Sequence, residues 1–187
     1  MEEISDNDLI TQYLAGDEKA LELLVQRYFK QVFFFAKTYV KNDAEAEDAA
    51  QEVFVKAWKN LKKFEPDKKF KTWLFQITKN TCIDFLRKYK NFVAPESLNE
   101  EQMAENMERI TDKDPLPEEL FRAAEFSQKL ENVLAKLPDI YRNVIVLHLQ
   151  QDLTFQEISE ILNESINTIK SRYRRALLMI REDFKDD

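Results

Sequence analysis

Glycine, cysteine and histidine each occur once in these 187 residues. A loop that cradles phosphates, or a dinucleotide fingerprint, needs two or three glycines close together, so a lone Gly16 excludes both. A single cysteine, Cys82, excludes an internal disulfide framework and a thiolate zinc cluster. No metal-ligand spacing occurs, and no cofactor is expected. His148 lies in the apolar run VIVLHLQ, where a packed structural imidazole is the expected use. Cys82 has no histidine near it in sequence and reads as core. No catalytic residue emerges, and the chain does not read as an enzyme. Five prolines and few turn residues argue against a hairpin-rich β fold. No apolar run approaches the ~18 residues of a membrane span. The acidic start, MEEISDND, is unlike a secretory signal. The expectation is a cytoplasmic, all-α protein with no membrane insertion.

The chain is 44% hydrophobic and 12% aromatic, which suffices for a packed core. Its net charge of −7 conceals segregation. Residues 1–52 carry 12 acids and 5 bases, whereas residues 53–90 carry 3 acids and 11 bases. Residues 91–119 return to 9 acids and 2 bases, and residues 165–181 hold five bases and no acid. Two basic islands in an acidic chain are either solvated helix faces or two grips for a phosphate-rich partner.

Apolar periodicity defines the organisation. A short helix is expected over residues 8–15, with a break at Gly16-Asp17. From Glu18, Leu21, Leu24, Val25, Tyr28, Phe29, Val32, Phe35, Ala36 and Tyr39 recur at spacings of three and four, predicting an amphipathic helix. Residues 44–61 and 72–89 predict two more helices, joined by the proline-containing loop FEPDKKF at 64–70. Residues 93–124 hold Pro95, Pro115, Pro117 and scattered acids but no sustained seam, so they read as a flexible acidic linker with a transient helix near 100–110. Helices are expected again from Phe126 to Leu137, over 139–150, over 154–162 and from Ile166 to about Asp183. The domain expectation is 1–92, linker 93–124, and 125–187.

The last two helices form a helix-turn-helix, with Asn163 as the candidate left-handed turn residue. Thr154 and Glu157 have capping-box spacing. With Lys170 at zero and about 100° per residue, Ile169, Tyr173, Ala176, Leu177 and Ile180 fall between about −120° and −20°. Lys170, Ser171, Arg174 and Arg175 fall between about 0° and 140°, and Arg172 stands apart near 200°, toward backbone phosphate or solvent. The second arc is either a basic surface or a DNA-reading face, since arginine matches the two acceptors of a guanine edge.

The first basic island interleaves lysines with Trp58, Phe64, Phe70, Trp73 and Tyr89. Positive charge beside aromatic faces suits unpaired nucleic acid, where bases stack on rings while lysines follow the backbone. Core packing is the expected use of Trp58 and Trp73. Phe64 and Phe70 flank the loop and are open to either use. Asp48, Gln51 and Glu52 share one polar helix ridge, either solvated or docked on a basic partner helix.

Residues 43–58, 64–74 and 77–88 (ending ITKNTCIDFLRK) resemble region 2 of bacterial sigma factors. The segment LPDIYRNVIVLHLQQDLTFQEISEILNESINTIKSRYRRAL resembles their region 4. Only these two regions are present, joined by an acidic linker, which is the layout of the extracytoplasmic-function (ECF) group. The resemblance implies two small helical domains, the region 2 bundle and the region 4 helix-turn-helix. It implies core RNA polymerase as partner, through the β′ clamp helices and β flap, together with promoter DNA and an anti-sigma factor. By position, Asp48, Gln51 and Glu52 match the clamp-docking ridge. The loop with Phe64, Lys68, Lys69, Phe70 and Lys71 matches the element that captures a flipped base. Lys79, Asn80, Asp84, Arg87 and Lys88 match the helix reading the minus-10 element. Lys170, Ser171, Arg174 and Arg175 match the minus-35 face, with Thr168 and Arg172 counted beside them. Asn163 replaces the glycine often found in the region 4 turn, and Arg174 stands where an apolar or aromatic residue is common. The acidic linker resembles the segment that threads toward the polymerase active site. Without a P-loop, strand separation is expected to proceed by trapping opened bases. The rival reading is a dimeric helix-turn-helix repressor or activator that binds DNA tightly without polymerase.

Overall fold

The computed structural model describes residues 4–40, 42–90 and 127–185. The expected linker, and its transient helix, lie outside the described residues. All regular structure among the described residues is helical. Four helices form the first unit: α1 (Asp6–Leu14), α2 (Glu18–Ala36), α3 (Asp43–Asn60) and α4 (Phe70–Lys90). Four more form the second: α5 (Ser127–Lys136), α6 (Asp139–Ile145), α7 (Phe155–Leu162) and α8 (Ile166–Lys185).

Short polar side chains start these helices. Ser5, Asp17 and Asn42 accept the orphan amides of Asp8, Lys19 and Glu45 at the starts of α1, α2 and α3. Gly16 turns the chain between α1 and α2 with φ +106°, a conformation that an L side chain resists. Helix α2 stops at Ala36, three residues before the expected Tyr39; Tyr39 sits in the following turn yet still meets Phe35 edge-on at 5.4 Å. Helix α4 starts at Phe70 rather than Thr72. The expected helix over 139–150 is α6 followed by a five-residue π turn, Val146–Gln150.

Leu9, Leu24, Tyr28, Val32, Val53, Phe54, Ala57 and Leu74 pack one core between α1, α2, α3 and α4. Trp58 and Trp73 pack against it. The second core joins Leu134, Tyr141, Val144, Ile145, Leu147, Ile158, Ile161, Ile169, Ala176 and Ile180. Phe35 of α2 and Phe75 of α4 belong to this second cluster and are fully buried. The units are therefore not merely tethered. They share a hydrophobic seam, and burying a phenylalanine is worth ~1.5–3 kcal/mol.

Polar groups close the seam at the end of α2. Arg142 donates to the carbonyl oxygens of Leu134, Ala135 and Leu137 at 2.8, 3.0 and 2.6 Å, which satisfies the C-terminal end of α5. The same guanidinium reaches across to the Thr38 carbonyl at 3.1 Å. The Thr38 hydroxyl lies 2.7 Å from the Asn143 amide oxygen, and both residues are buried.

Candidate nucleic-acid interface

The loop after Asn60 folds inward at its two phenylalanines. Phe64 and Phe70 are 8% and 2% exposed and meet each other edge-on at 5.7 Å. Trp73 lies 5.4 Å from Phe64, and Tyr28 lies 5.5 Å from Phe70. These rings anchor the loop in the first core and offer no open face to a base. The physical reason is burial: two large rings at the loop's ends gain more from the bundle than from water. The loop's outward side carries Lys68 and Lys69 instead. Glu65 sits 3.0 Å from Lys68 and holds its ammonium above the usual lysine range through a hydrogen bond.

Three of the expected minus-10 lysines are taken up by the second unit. Lys69 pairs with Glu157 at 2.8 Å, and that hydrogen bond raises the lysine's pKa. Lys71 donates to the Gln151 carbonyl at 2.6 Å, and burial pushes its ammonium down. Lys79 donates to the Leu162 carbonyl at 2.9 Å and is lowered by the same cause. Between them, Gln76 reaches the Glu160 carbonyl at 3.2 Å. Lys69, Gln76 and Lys79 meet residues 157, 160 and 162 in the same order, so α4 and α7 run side by side in parallel. A lysine at the carbonyl end of α7 is favoured by the helix dipole.

Beyond this seam Asn80, Asp84, Arg87 and Lys88 are exposed along α4. Asp84 lies 3.5 Å from Lys56, which also pairs with Glu52 at 3.1 Å. A chain of charge thus links the α3 ridge to α4. Asp48 and Gln51 stand exposed on that ridge, with Glu52 half-buried beside them.

The helix-turn-helix is built as its spacing predicts. Thr154 and Glu157 form a reciprocal capping box at the start of α7. Burial opposes the Glu157 charge, but hydrogen bonds from Lys69 and Thr154 outweigh it and hold the carboxyl below its usual range. Asn163 ends α7 in the left-handed region, φ 57° and ψ 46°. Ser165 then accepts the Thr168 amide at the start of α8. Ile169, Ala176 and Ile180 are fully buried, whereas Lys170, Ser171 and Arg174 are exposed and Arg175 is half-buried. Arg172 does not point to open solvent: it pairs with Glu164 of the turn at 3.0 Å. Thr168 is half-buried, its hydroxyl 2.8 Å from that of Ser165.

His148 stacks on Phe155 at 4.4 Å, meets Tyr173 edge-on at 4.9 Å, and bonds the Leu153 carbonyl through Nδ1 at 2.8 Å. Cys82 is fully buried, and burial pushes its thiol up to about 12. Sequence reasoning missed Arg142, Gln151, Glu160 and the second role of Glu157. Their seam partners lie 80 or more residues away, and several of the bonds use backbone carbonyls, so no local pattern marks them.

Two family models match the chain: sigma-70 region 2 over residues 24–92, and sigma-70 region 4 over residues 127–180. The chain is 35% identical over 179 residues to the ECF RNA polymerase sigma factor SigW of Bacillus subtilis, covering 95% of each. It belongs to the ECF RNA polymerase sigma factors. The ECF sigma-E factor of Escherichia coli K12 is 32% identical over 177 residues, covering 94% of this chain and 92% of the relative. Two solved structures share the fold at 24% identity. CnrH, in complex with the cytosolic domain of CnrY, aligns with TM-score 0.68 over 97% of this chain and 98% of its own. RpoE of Bartonella quintana, in complex with the anti-sigma factor NepR, aligns with TM-score 0.67 over 90% and 99%. As an ECF sigma factor the chain is a transcription-initiation factor that directs RNA polymerase to promoters. Among the described residues no helix is long and apolar enough to cross a membrane.

Proposed function

We propose that this ECF sigma factor divides its work among three surfaces. The α3 ridge of Asp48, Gln51 and Glu52 docks on the clamp helices of the polymerase β′ subunit. Loop 64–71 and the α4 residues Lys79, Asn80, Asp84, Arg87 and Lys88 engage the minus-10 element. The α8 arc of the exposed Lys170, Ser171 and Arg174 and the half-buried Arg175 reads the minus-35 element. Residues 1–92 carry the first two activities, residues 125–187 carry the third, and residues 93–124 thread between them. The carrying observation is the split of α8 into a buried apolar seam and an exposed cationic arc behind a well-capped turn.

Melting on this reading is capture of opened bases, because the single glycine leaves no loop to hold a nucleotide triphosphate. Lysines along the loop hold the strand's phosphates, and Asn80, Asp84 and Arg87 meet base edges. Phe64 and Phe70 shape the loop from within and leave the grip to its polar rim. A helix-turn-helix acting as a monomer binds weakly, so affinity for the promoter comes from the polymerase. An anti-sigma factor, of the kind that NepR is for its partner, restrains the free chain. The test is run-off transcription with core polymerase over a panel of promoter fragments. The reading expects discrete transcripts only when this protein is added. Equal transcription with and without it refutes the reading.

A further inference from the structure

The first turn of α8 presents an amide beside the cationic arc. Asn167 is exposed, one turn before Lys170 and two turns before Arg174. At about 100° per residue from Lys170 at zero, Asn167 falls near 60°, between Arg174 near 40° and Ser171 near 100°. Asn167, Lys170, Ser171 and Arg174 are therefore spaced i, i+3, i+4 and i+7 and form one stripe. All four are exposed, on the side of α8 opposite the buried Ile169, Ala176 and Ile180.

Helix construction does not account for an asparagine at this place. Within a helix its side chain competes with the backbone, and its favoured post is the N-cap. That post is filled, because Ser165 accepts the Thr168 amide at 3.1 Å. The Ser165 and Thr168 hydroxyls face each other at 2.8 Å, and Arg172 pairs with Glu164 at 3.0 Å. The Asn167 amide has no hydrogen-bond partner among the described residues. We infer that Asn167 selects an adenine in the minus-35 element, a role that rests on α8 being the minus-35 face. The chemistry chooses the base. In the major groove adenine offers a donor at N6 and an acceptor at N7. The N6 amino group donates to Asn167 Oδ1, and Asn167 Nδ2 donates to N7. Guanine offers two acceptors there, which suit an arginine and leave Oδ1 unmatched. A neutral amide releases no counterion at a phosphate, so a base edge is its better partner. The N-terminal residues of the second helix are those that reach base edges in a helix-turn-helix. With α8 along the groove, seven residues at ~1.5 Å each set Asn167 roughly 10 Å from Arg174, about three base-pair steps of ~3.4 Å. The stripe thus reads two kinds of base, an adenine at its start and a guanine farther along.

The test uses holoenzyme assembled from core polymerase and the full chain, transcribing a promoter library with a randomised minus-35 element. Sequencing the transcribed templates gives the base preference at each position. The wild-type chain should favour adenine at one position by roughly fivefold or more, about three base pairs from a favoured guanine. Asn167→Ala should erase the adenine preference and leave the guanine preference in place. Alanine is the best helix former, so α8 is kept, and circular dichroism checks this. Arg174→Ala with Arg175→Ala should do the reverse, erasing guanine and keeping adenine. An adenine preference that is absent from wild type, or that survives Asn167→Ala, overturns the inference. So does a loss spread evenly over all positions in Asn167→Ala, which marks a structural role. If the arginine variant flattens its position while Asn167→Ala changes nothing, the minus-35 face stands and the role of Asn167 falls. If neither variant alters any preference, the minus-35 face itself is refuted.

Discussion

The rings of Phe35 and Phe75 stand 5.3 Å apart between centroids, both fully buried, on the seam where the first helical unit meets the second. They come from different helices of the first unit but share a core with residues 133–180. Replacing Phe35 by alanine is expected to cost ~3–5 kcal/mol, the range for deleting a packed phenyl ring. Urea denaturation of the full chain measures it. A loss under about 1 kcal/mol means that the ring is not packed as described.

The turn before α8 makes a sharper prediction. Asn163 holds φ 57°, where glycine is at ease and a β-branched residue is strained. Asn163→Gly should therefore leave thermal stability within ~0.5 kcal/mol, whereas Asn163→Val should cost ~1–2 kcal/mol. Thr154→Ala removes half of the capping box and should cost ~1 kcal/mol. Equal melting temperatures for the glycine and valine variants would contradict the left-handed assignment.

Acid should weaken one part of the seam in a defined direction. Hydrogen bonds from Lys69 and Thr154 hold the Glu157 carboxyl below the ordinary glutamate range, against the opposing effect of burial. Its contribution is therefore fully present above about pH 4.5 and is lost as pH falls through the lowered value. Lys69 and Lys71 face it from the first unit, with Asp152 and Glu160 near them. Comparison with Glu157→Gln isolates the part of the seam that depends on this carboxylate. The stability gap between the two proteins should be constant near neutrality, at a few tenths to ~1 kcal/mol, and close in acid. A gap that widens as pH falls reverses the sign and rejects the assignment.

Much of this fold is legible in the one-dimensional pattern. Spacings of three and four place the seams of α2 and α8, and Ile169, Ala176 and Ile180 lie where their angles put them. The capping box and Asn163 are local chemistry, readable within four residues. The contact between the units is not readable. Lys69, Lys71 and Lys79 look alike whether they face phosphate, solvent or the Gln151 and Leu162 carbonyls. Backbone acceptors leave no trace in side-chain identity. Phe64 and Phe70 are ambiguous for a related reason: a ring beside a loop packs inward or outward at equal spacing, and only Tyr28 of α2 against Phe70 and Trp73 of α4 against Phe64 decide it.

The acidic ridge on α3 yields a separable prediction. Asp48→Lys should abolish co-elution with core polymerase while leaving the helical content unchanged, because its side chain is exposed. Undiminished co-elution would move the docking surface elsewhere.

The most direct measurement sequences the 5′ ends of transcripts made by holoenzyme carrying either the wild-type chain or Arg174→Glu with Arg175→Glu. Each good guanine contact is worth ~1–3 kcal/mol, so reversing both charges should lower use of the wild-type start sites at least tenfold. Holoenzyme assembly should be intact. An unchanged profile of start sites would show that the cationic arc of α8 does not choose promoters.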